Sequence, residues 1–455
     1  MKTAITTISE FLWGFPMISL LLLSGILLTI RLGFLPIRHA RHIFRATIGE
    51  IFTHKKKNQN TKNNEGITPF QAFTSALSAT AGATNIVGVP IAIALGGPGA
   101  LFWMWVVAFF GMSTIYTELV LGIKYREKNK DGKWIGGPRF YITNGLGWKW
   151  IGFLYAFGLM LEVIPSVMVQ SNSISTTLKS DFSISLSITG IVFVFITALV
   201  IWGGIERIGK ISAKLLPIFV ISYVLLTSYV IVSNGKLIPE TFLLIIKSAF
   251  TPIAGIGVFA GAGVIQAMRW GLARGLYTSE AGMGTSAIAY ASANTDQPPK
   301  QAFWGIIAVF IDTIVICSLT GFTVIITGVW KKVKVEEAAT MAAQAIATSI
   351  GDYWSSIILA VLLIFFVLAT IGVIIYYGEL QAEQLFGMKA KWFMRFVYLV
   401  AIYIGAVGGL KFVWELLDLL LAVIVIPNVI AIVLLSKEVK KITTAYFYDK
   451  IERRN

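Results

Sequence analysis

The chain has 455 residues, 56% hydrophobic and 13% charged, with a formal net charge of +15. Water-soluble globular chains are about 45–50% apolar and about 25% charged, so this composition points to lipid as the solvent and excludes an ordinary soluble domain. One cysteine, Cys317, excludes an intramolecular disulfide. The three histidines share one basic loop and no HExxH or Walker loop is present, which leaves a metal or nucleotide enzyme without support.

Apolar runs long enough to cross a bilayer recur eleven times, at about 11–32, 69–95, 99–123, 150–176, 184–203, 213–233, 248–269, 301–329, 354–378, 393–409 and 413–436. The first outlasts a signal-peptide core, and its basic residues follow it rather than precede it, so it reads as a retained helix. Next come a basic amphipathic stretch, Arg31–Phe52, suited to the cytoplasmic membrane surface, and a polar linker, His54–Glu65. The order divides into a leading helix (1–33), this basic segment (34–68), two five-helix halves (69–233 and 248–436) and a cytoplasmic tail (437–455). With the N-terminus outside and the C-terminus in the cytoplasm, 30 of the 38 Lys and Arg residues fall on the inner side. The positive-inside rule accounts for that bias, so the net charge implies a multi-pass protein of the cell membrane and no nucleic-acid partner.

Two of the runs are interrupted. "SATAGATNIVG" (Ser78–Gly88) puts Thr80, Gly82, Thr84, Asn85 and Gly88 in the middle of the second run. "SAFTPIAGIGVFAGAGVIQAMRWG" (Ser248–Gly271) carries Pro252 and five glycines in the seventh. The interruptions lie five spans apart, an odd number, so the halves that contain them are inverted relative to each other. Paired broken segments at corresponding positions are the sequence mark of a transporter binding site. Unwinding frees backbone groups that cost several kcal/mol in lipid, so they must line a cavity or hold a ligand. Freed N–H groups at the start of a half-helix suit a carboxylate, and freed carbonyls at the end of one suit a sodium ion.

The block "GGPGALFWMWVVAFFG" (Gly96–Gly111) closely resembles the signature of the alanine or glycine:cation symporters, the sodium:alanine symporter family. "GGPRFYI" (Gly136–Ile142), "MVQSNS" (Met168–Ser173), "GGIERIGK" (Gly203–Lys210), "RWGLARGLYTSEAGMG" (Arg269–Gly284), "FIDT" (Phe310–Thr313) and "YYGE" (Tyr376–Glu379) are similar to the same family. The resemblance runs from about Arg31 to Leu435. It implies an all-α integral membrane protein with an inverted 5+5 repeat core of the leucine-transporter type plus one N-terminal helix. It also implies uptake of small neutral amino acids coupled to sodium, with no other cofactor.

The resemblance further implies a site. Asn85 keeps the family's asparagine in the first break, while its threonine is displaced by one place to Thr84. Asn85 would bridge the substrate carboxylate and the ion, and carbonyls near Ser78 and Ala81 would hold sodium. Gln170 would bind the substrate amine or carboxylate; Phe259 and Gly261 would wall and floor the pocket. Thr370 would complete the sodium site. Ile374 stands where the family has a pocket tryptophan, which implies room for side chains larger than those of alanine and glycine.

Charges inside the runs have several readings. Glu162 lies eight residues before Gln170, on the same side of a helix, at a depth where a carboxylate costs on the order of 2.5–3.5 kcal/mol. It reads as a substrate-amine contact, part of a proton-linked step, a lysine-side salt bridge, or a protonated or paired structural carboxylate. Glu118 and Asp312 read as structural partners of basic residues at span ends. A passive channel and an amino-acid sensor remain as alternatives to a transporter. A channel needs rings of groups from several subunits; a sensor needs an appended signalling domain, for which Ser436–Asn455 is too short.

Overall fold

The computed structural model describes residues 9, 11–53, 66–82, 84–251, 263–408 and 411–452. Helix α1 (Phe15–Arg31) leads into short helical pieces between Leu35 and Thr53. The first broken span follows as α2 (Pro69–Thr80), a π-helical turn (Thr84–Gly88) and α3 (Val89–Gly96). Next are α4 (Gly99–Lys124), a two-residue hairpin of β1 (Glu127–Lys128) and β2 (Trp134–Ile135), α5 (Lys149–Phe182), α6 (Leu186–Ile201) and α7 (Gly204–Ser233). The second half contains α8 (Ile238–Phe250), α9 (Val264–Ser279), α10 (Ser286–Ala291), α11 (Pro298–Ile326), α12 (Met341–Ile350), α13 (Asp352–Phe386), α14 (Met388–Val407) and α15 (Lys411–Glu452).

Among the described residues, seven helices are long and apolar enough to cross a membrane: α4, α5, α7, α11, α13, α14 and α15. Helices α2 and α3, bent by 40° at their break, make an eighth if taken as one span. Helices α1 and α6 are apolar but shorter. The seventh sequence run corresponds to the end of α8 and the start of α9, and its glycine-rich middle lies outside the described residues.

Two boundaries differ from the sequence reading. Helix α9 runs on to Ser279, where the sequence suggests a cytoplasmic loop from 270. Its Arg274 is 3% exposed, 3.7 Å from the Asp418 carboxylate and 4.5 Å from the centre of the Trp414 ring. Pairing and an aromatic face let a cation stay inside the protein, where hydropathy alone places it outside. Helix α15 continues the last span through Glu452, so the tail is helical that far.

The start of α2 is specified locally. Thr68 Oγ1 accepts the Gln71 backbone N–H at 3.1 Å, and Gln71 Oε1 accepts that of Thr68 at 2.9 Å. Pro69 follows at the first helical position, so capping box and proline together fix where the span begins. The helix ends in a tight turn in which the Gly82 N–H donates to the Thr80 carbonyl at 2.8 Å. Around this broken span, α5 packs against α13, α14 and α15, while α7 and α13 pack against α2.

Candidate functional site

A closed cavity lies beside the break between α2 and α3. Ala79 and Thr84 line it from the break, Leu159, Glu162, Ser166 and Gln170 from α5, and Ile374 and Tyr377 from α13. Tyr277 at the end of α9, with Glu280, Met283 and Thr285 just after it, completes the wall. Its free volume, about 20 Å³, is roughly the space of one water molecule, so the site is closed down in this conformation.

The polar groups around it are unusual for a membrane interior. Glu162, Ser166 and Gln170 follow one another at four-residue intervals, one above the next on a single face of α5. The Ser166 and Tyr277 hydroxyls pair at 3.0 Å. Glu162 Oε1, Gln170 Oε1 and the Thr285 and Tyr377 hydroxyls are buried without a hydrogen-bond partner among the described residues. Buried polar atoms are nearly always paired, and each orphan costs about 1–3 kcal/mol, so four around one cavity mark a place for a polar ligand. The lining includes two carboxylates, Glu162 and Glu280, and no Lys, Arg or His.

The loop after α9 holds Glu280 in place. Glu280 has φ of 54°, a left-handed conformation that costs a non-glycine residue energy. Its carboxylate accepts the Ser286 hydroxyl at 2.7 Å. Glu118 on α4 anchors the same loop: its Oε1 accepts the Gly282 N–H at 3.0 Å and Asn428 Nδ2 at 2.6 Å. These contacts differ from the basic span-end partner the sequence suggests for Glu118. Asp312 differs likewise, since Asn85 Nδ2 and the Thr313 hydroxyl donate to its two oxygens at 2.7 and 3.1 Å. At these depths the donors within reach are amide N–H groups and hydroxyls.

Of the residues singled out in the sequence, Thr84, Gln170 and Ile374 come together on the cavity wall. Asn85 is buried one residue away and points elsewhere. Its Oδ1 accepts the Gly82 N–H at 3.1 Å, and its Nδ2 faces Asp312 in the π-helical middle of α11, Phe310–Cys317. Ser78, Ala81 and Thr370 gather on the end of α2. The Thr370 hydroxyl donates to the Ser78 carbonyl at 2.7 Å, and a Cβ added to Gly82 would fall 2.5 Å from that hydroxyl oxygen. This close approach of carbonyl and hydroxyl oxygens is the donor chemistry a hard monovalent cation uses, and it needs glycine at position 82. Phe259 and Gly261 lie outside the described residues.

Sequence reasoning missed Ser166, Tyr277, Glu280, Met283, Thr285 and Tyr377. Ser166 was findable, lying halfway between Glu162 and Gln170 at helical spacing. Glu280 was not, because its stretch reads as a surface loop.

Two larger pockets flank the cavity. Gly66, Ile67, Tyr376, Leu380 and Glu383 contribute to one. The other takes Ile86, Val87 and Ile91 from the broken span, Asn172 to Asp181 from the end of α5, and Ser355, Leu359 and Leu363 from α13. Along α13 the order is one pocket, the cavity, the other pocket; along the chain it is the reverse, from Gly66 and Ile67 just before α2 to the break and then α3. The three spaces are thus strung along α13.

The sequence model of the sodium:alanine symporter family matches residues 1–455. The uncharacterized transporter YflA of Bacillus subtilis is 47% identical over 97% of this chain and 92% of its own. The sodium/alanine symporter AgcS of Methanococcus maripaludis is 37% identical over 97% and 96%. The probable sodium/glutamine symporter GlnT of Bacillus subtilis is 34% identical over 95% and 87%.

Proposed function

Because the chain belongs to the sodium:alanine symporter family, a family of multi-pass sodium-coupled amino-acid transporters and not of enzymes, we propose that it imports a small neutral amino acid with sodium by alternating access at the α2–α3 break. The observation that carries this reading is the string of spaces along α13: a closed polar cavity at a helix break, with a pocket toward each end. A permeation path built this way opens to one side at a time when the pockets widen alternately, as the broken-helix transporters do. A channel would need the spaces joined.

In this reading Thr84, Gln170 and Ile374 bind the substrate, while Phe259 and Gly261, which the resemblance implies as pocket residues, lie outside the described residues. Asn85 orients the break, while Ser78, Ala81 and Thr370 hold sodium through carbonyl and hydroxyl oxygens. Residues 69–233 and 248–436 are the inverted halves. The N-terminus lies outside and the C-terminus in the cytoplasm. Alanine and glycine are the reference substrates, with serine or glutamine admitted beside Ile374; the sodium/alanine symporter AgcS and the probable sodium/glutamine symporter GlnT among its relatives support alanine and glutamine. The test is uptake of labelled alanine, glycine, serine and glutamine into proteoliposomes. Uptake is expected to require an inward sodium gradient. Equal uptake in potassium-only buffer would remove the coupling.

A further inference from the structure

The face of α13 turned away from Ile374 and Tyr377 borders a fourth space. A cavity of about 180 Å³ lies between α6, α7 and α13, with Val200, Ile208, Leu215, Phe365 and Ala369 in its lining. Ser212 is the single polar residue of that lining among the described residues. An apolar cavity of about 150 Å³ stays dry and takes up an apolar guest, so this space suits hydrocarbon rather than an amino acid or an ion. On α7 the lining runs at helical spacing from Ile208 to Phe219, about 16 Å along the axis. That is about half of the roughly 30 Å hydrocarbon core, the depth of one leaflet. Phe219 and Phe365 stack at 4.3 Å at the deep end. Phe365 is also 37% exposed, so the cavity reaches the lipid-facing surface.

The shallow end lies at the turn between α6 and α7. Trp202 of that turn is exposed, and its ring centre lies 6.0 Å from that of the exposed Trp392, an aromatic pair suited to a membrane–water interface. Arg207 and Lys214 lie four residues before and three residues after Ile211, on one strip of α7 at the edge of the lining. Both are exposed, and neither makes an ion pair among the described residues. The neighbouring carboxylate, Glu206, is taken by Lys133 at 2.7 Å. Basic side chains left over at this depth, beside an apolar slot one leaflet deep, match a lipid with a negative headgroup.

We propose that this cavity holds one acyl chain of an anionic phospholipid, whose phosphate sits at Arg207 and Lys214. In the proposed orientation the turn faces the cytoplasm, the side on which anionic lipids concentrate. The chain stands between two helices that both support the broken span. Gly209 of α7 packs on α2, where an added Cβ would fall 3.3 Å from the Ser75 hydroxyl oxygen. Leu368 and Ala369 of α13 line the cavity and directly precede Thr370, which donates to the Ser78 carbonyl at 2.7 Å. A filled cavity holds α7 and α13 at the spacing that keeps both on α2. This bearing on the ion rests on the reading of Ser78, Ala81 and Thr370 as the sodium site.

The test is native mass spectrometry of the purified full chain in detergent, titrated with dioleoylphosphatidylglycerol or dioleoylphosphatidylcholine. The first phosphatidylglycerol is expected to bind about 10- to 30-fold more tightly than the first phosphatidylcholine, as two basic side chains at a membrane surface provide. Equal affinity overturns the proposal. Arg207→Gln combined with Lys214→Gln should abolish the difference, and a preference that persists in this double variant overturns the headgroup site. Ser212→Phe, which fills the cavity, should weaken phosphatidylglycerol binding about 10-fold or more, and unchanged binding overturns the chain site. Should that variant fail to fold, dihexanoylphosphatidylglycerol reads the same point on the unaltered protein. Its chains are too short to fill the cavity, so binding as tight as that of the dioleoyl lipid overturns the occupancy. In proteoliposomes, leaving out phosphatidylglycerol should raise the half-saturating sodium concentration for alanine uptake several-fold in the unaltered protein and leave it unchanged in the double variant. A sodium response indifferent to the lipid overturns the link to the ion. Failure of the sodium reading itself is distinct, since uptake would then ignore sodium in either lipid.

Discussion

At the scale of single residues, Thr370 is the most exposed to test. Its hydroxyl is wholly buried and donates to the Ser78 carbonyl across the end of α2. When a cation enters, that carbonyl and hydroxyl are free to turn their oxygens on it, with no side-chain charge to remove. Thr370→Ala deletes one proposed ligand and leaves the Ser78 carbonyl without its donor. A lost hydrogen bond or ligand of this kind costs about 1–3 kcal/mol, or roughly 5- to 150-fold in affinity. The half-saturating sodium concentration for alanine uptake should rise by that factor, with the ranking of competing amino acids unchanged. Thr370→Ser, which keeps the hydroxyl, should restore it. A sodium response that is the same in all three proteins would exclude Thr370 from the ion site.

Between elements, small residues set how closely helices approach. A Cβ on Gly405 of α14 would lie 2.4 Å from the Met168 Cα and 2.5 Å from its carbonyl oxygen, both backbone atoms of α5. Asn172 stitches the same crossing, donating to the carbonyls of Gly405 and Gly408 at 2.9 Å each. Such crossings take the place of a hydrophobic drive that lipid does not supply. Gly405→Ala must push α14 off α5, an overpacking cost of about 1–3 kcal/mol. Thermal unfolding in detergent should fall by a few degrees. Gly235→Ala, where an added Cβ meets nothing within 4 Å, should leave the midpoint in place. Equal shifts in the two variants would mean that close packing at Gly405 is not what the glycine provides.

The same elements mark what the sequence could reveal. Long apolar runs between polar loops locate α4, α5, α7, α11, α13 and α15 because a membrane imposes length and composition on a helix. The break at Gly82–Asn85 shows because small and polar residues are out of place there. The extension of α9 does not show, since Arg274 reads as a loop residue until Asp418 and Trp414, far along the chain, are placed beside it. The π-helical middle of α11 leaves no periodic signal over its eight residues. In the site, Thr84, Gln170 and Ile374 came from family resemblance and Glu162 from its depth. Glu280 faces the cavity through a left-handed backbone turn that residue type alone does not predict.

At the scale of the whole molecule, the reading stands or falls on whether the two pockets open in turn. Helix α13 supplies a probe on each side of Ile374: Leu363 lines the pocket shared with the end of α5, and Leu380 the opposite one. The two are seventeen residues apart, about 26 Å along the axis, most of the roughly 30 Å thickness of the hydrocarbon core. Both are buried, and the single native thiol, Cys317, is fully buried, so it is a quiet background for labelling. Leu363→Cys and Leu380→Cys, made separately, can be exposed in sealed vesicles to a membrane-impermeant maleimide from either face. In the proposed orientation the reagent reaches Leu363→Cys from outside and Leu380→Cys from the cytoplasmic face. Sodium alone and sodium with alanine should then change the two labelling rates in opposite directions, because a ligand shifts a two-state equilibrium only by favouring one state over the other. Rates that rise together would describe a pore that opens throughout, and the channel reading would replace the transporter. Rates indifferent to sodium and alanine would detach both from this cavity.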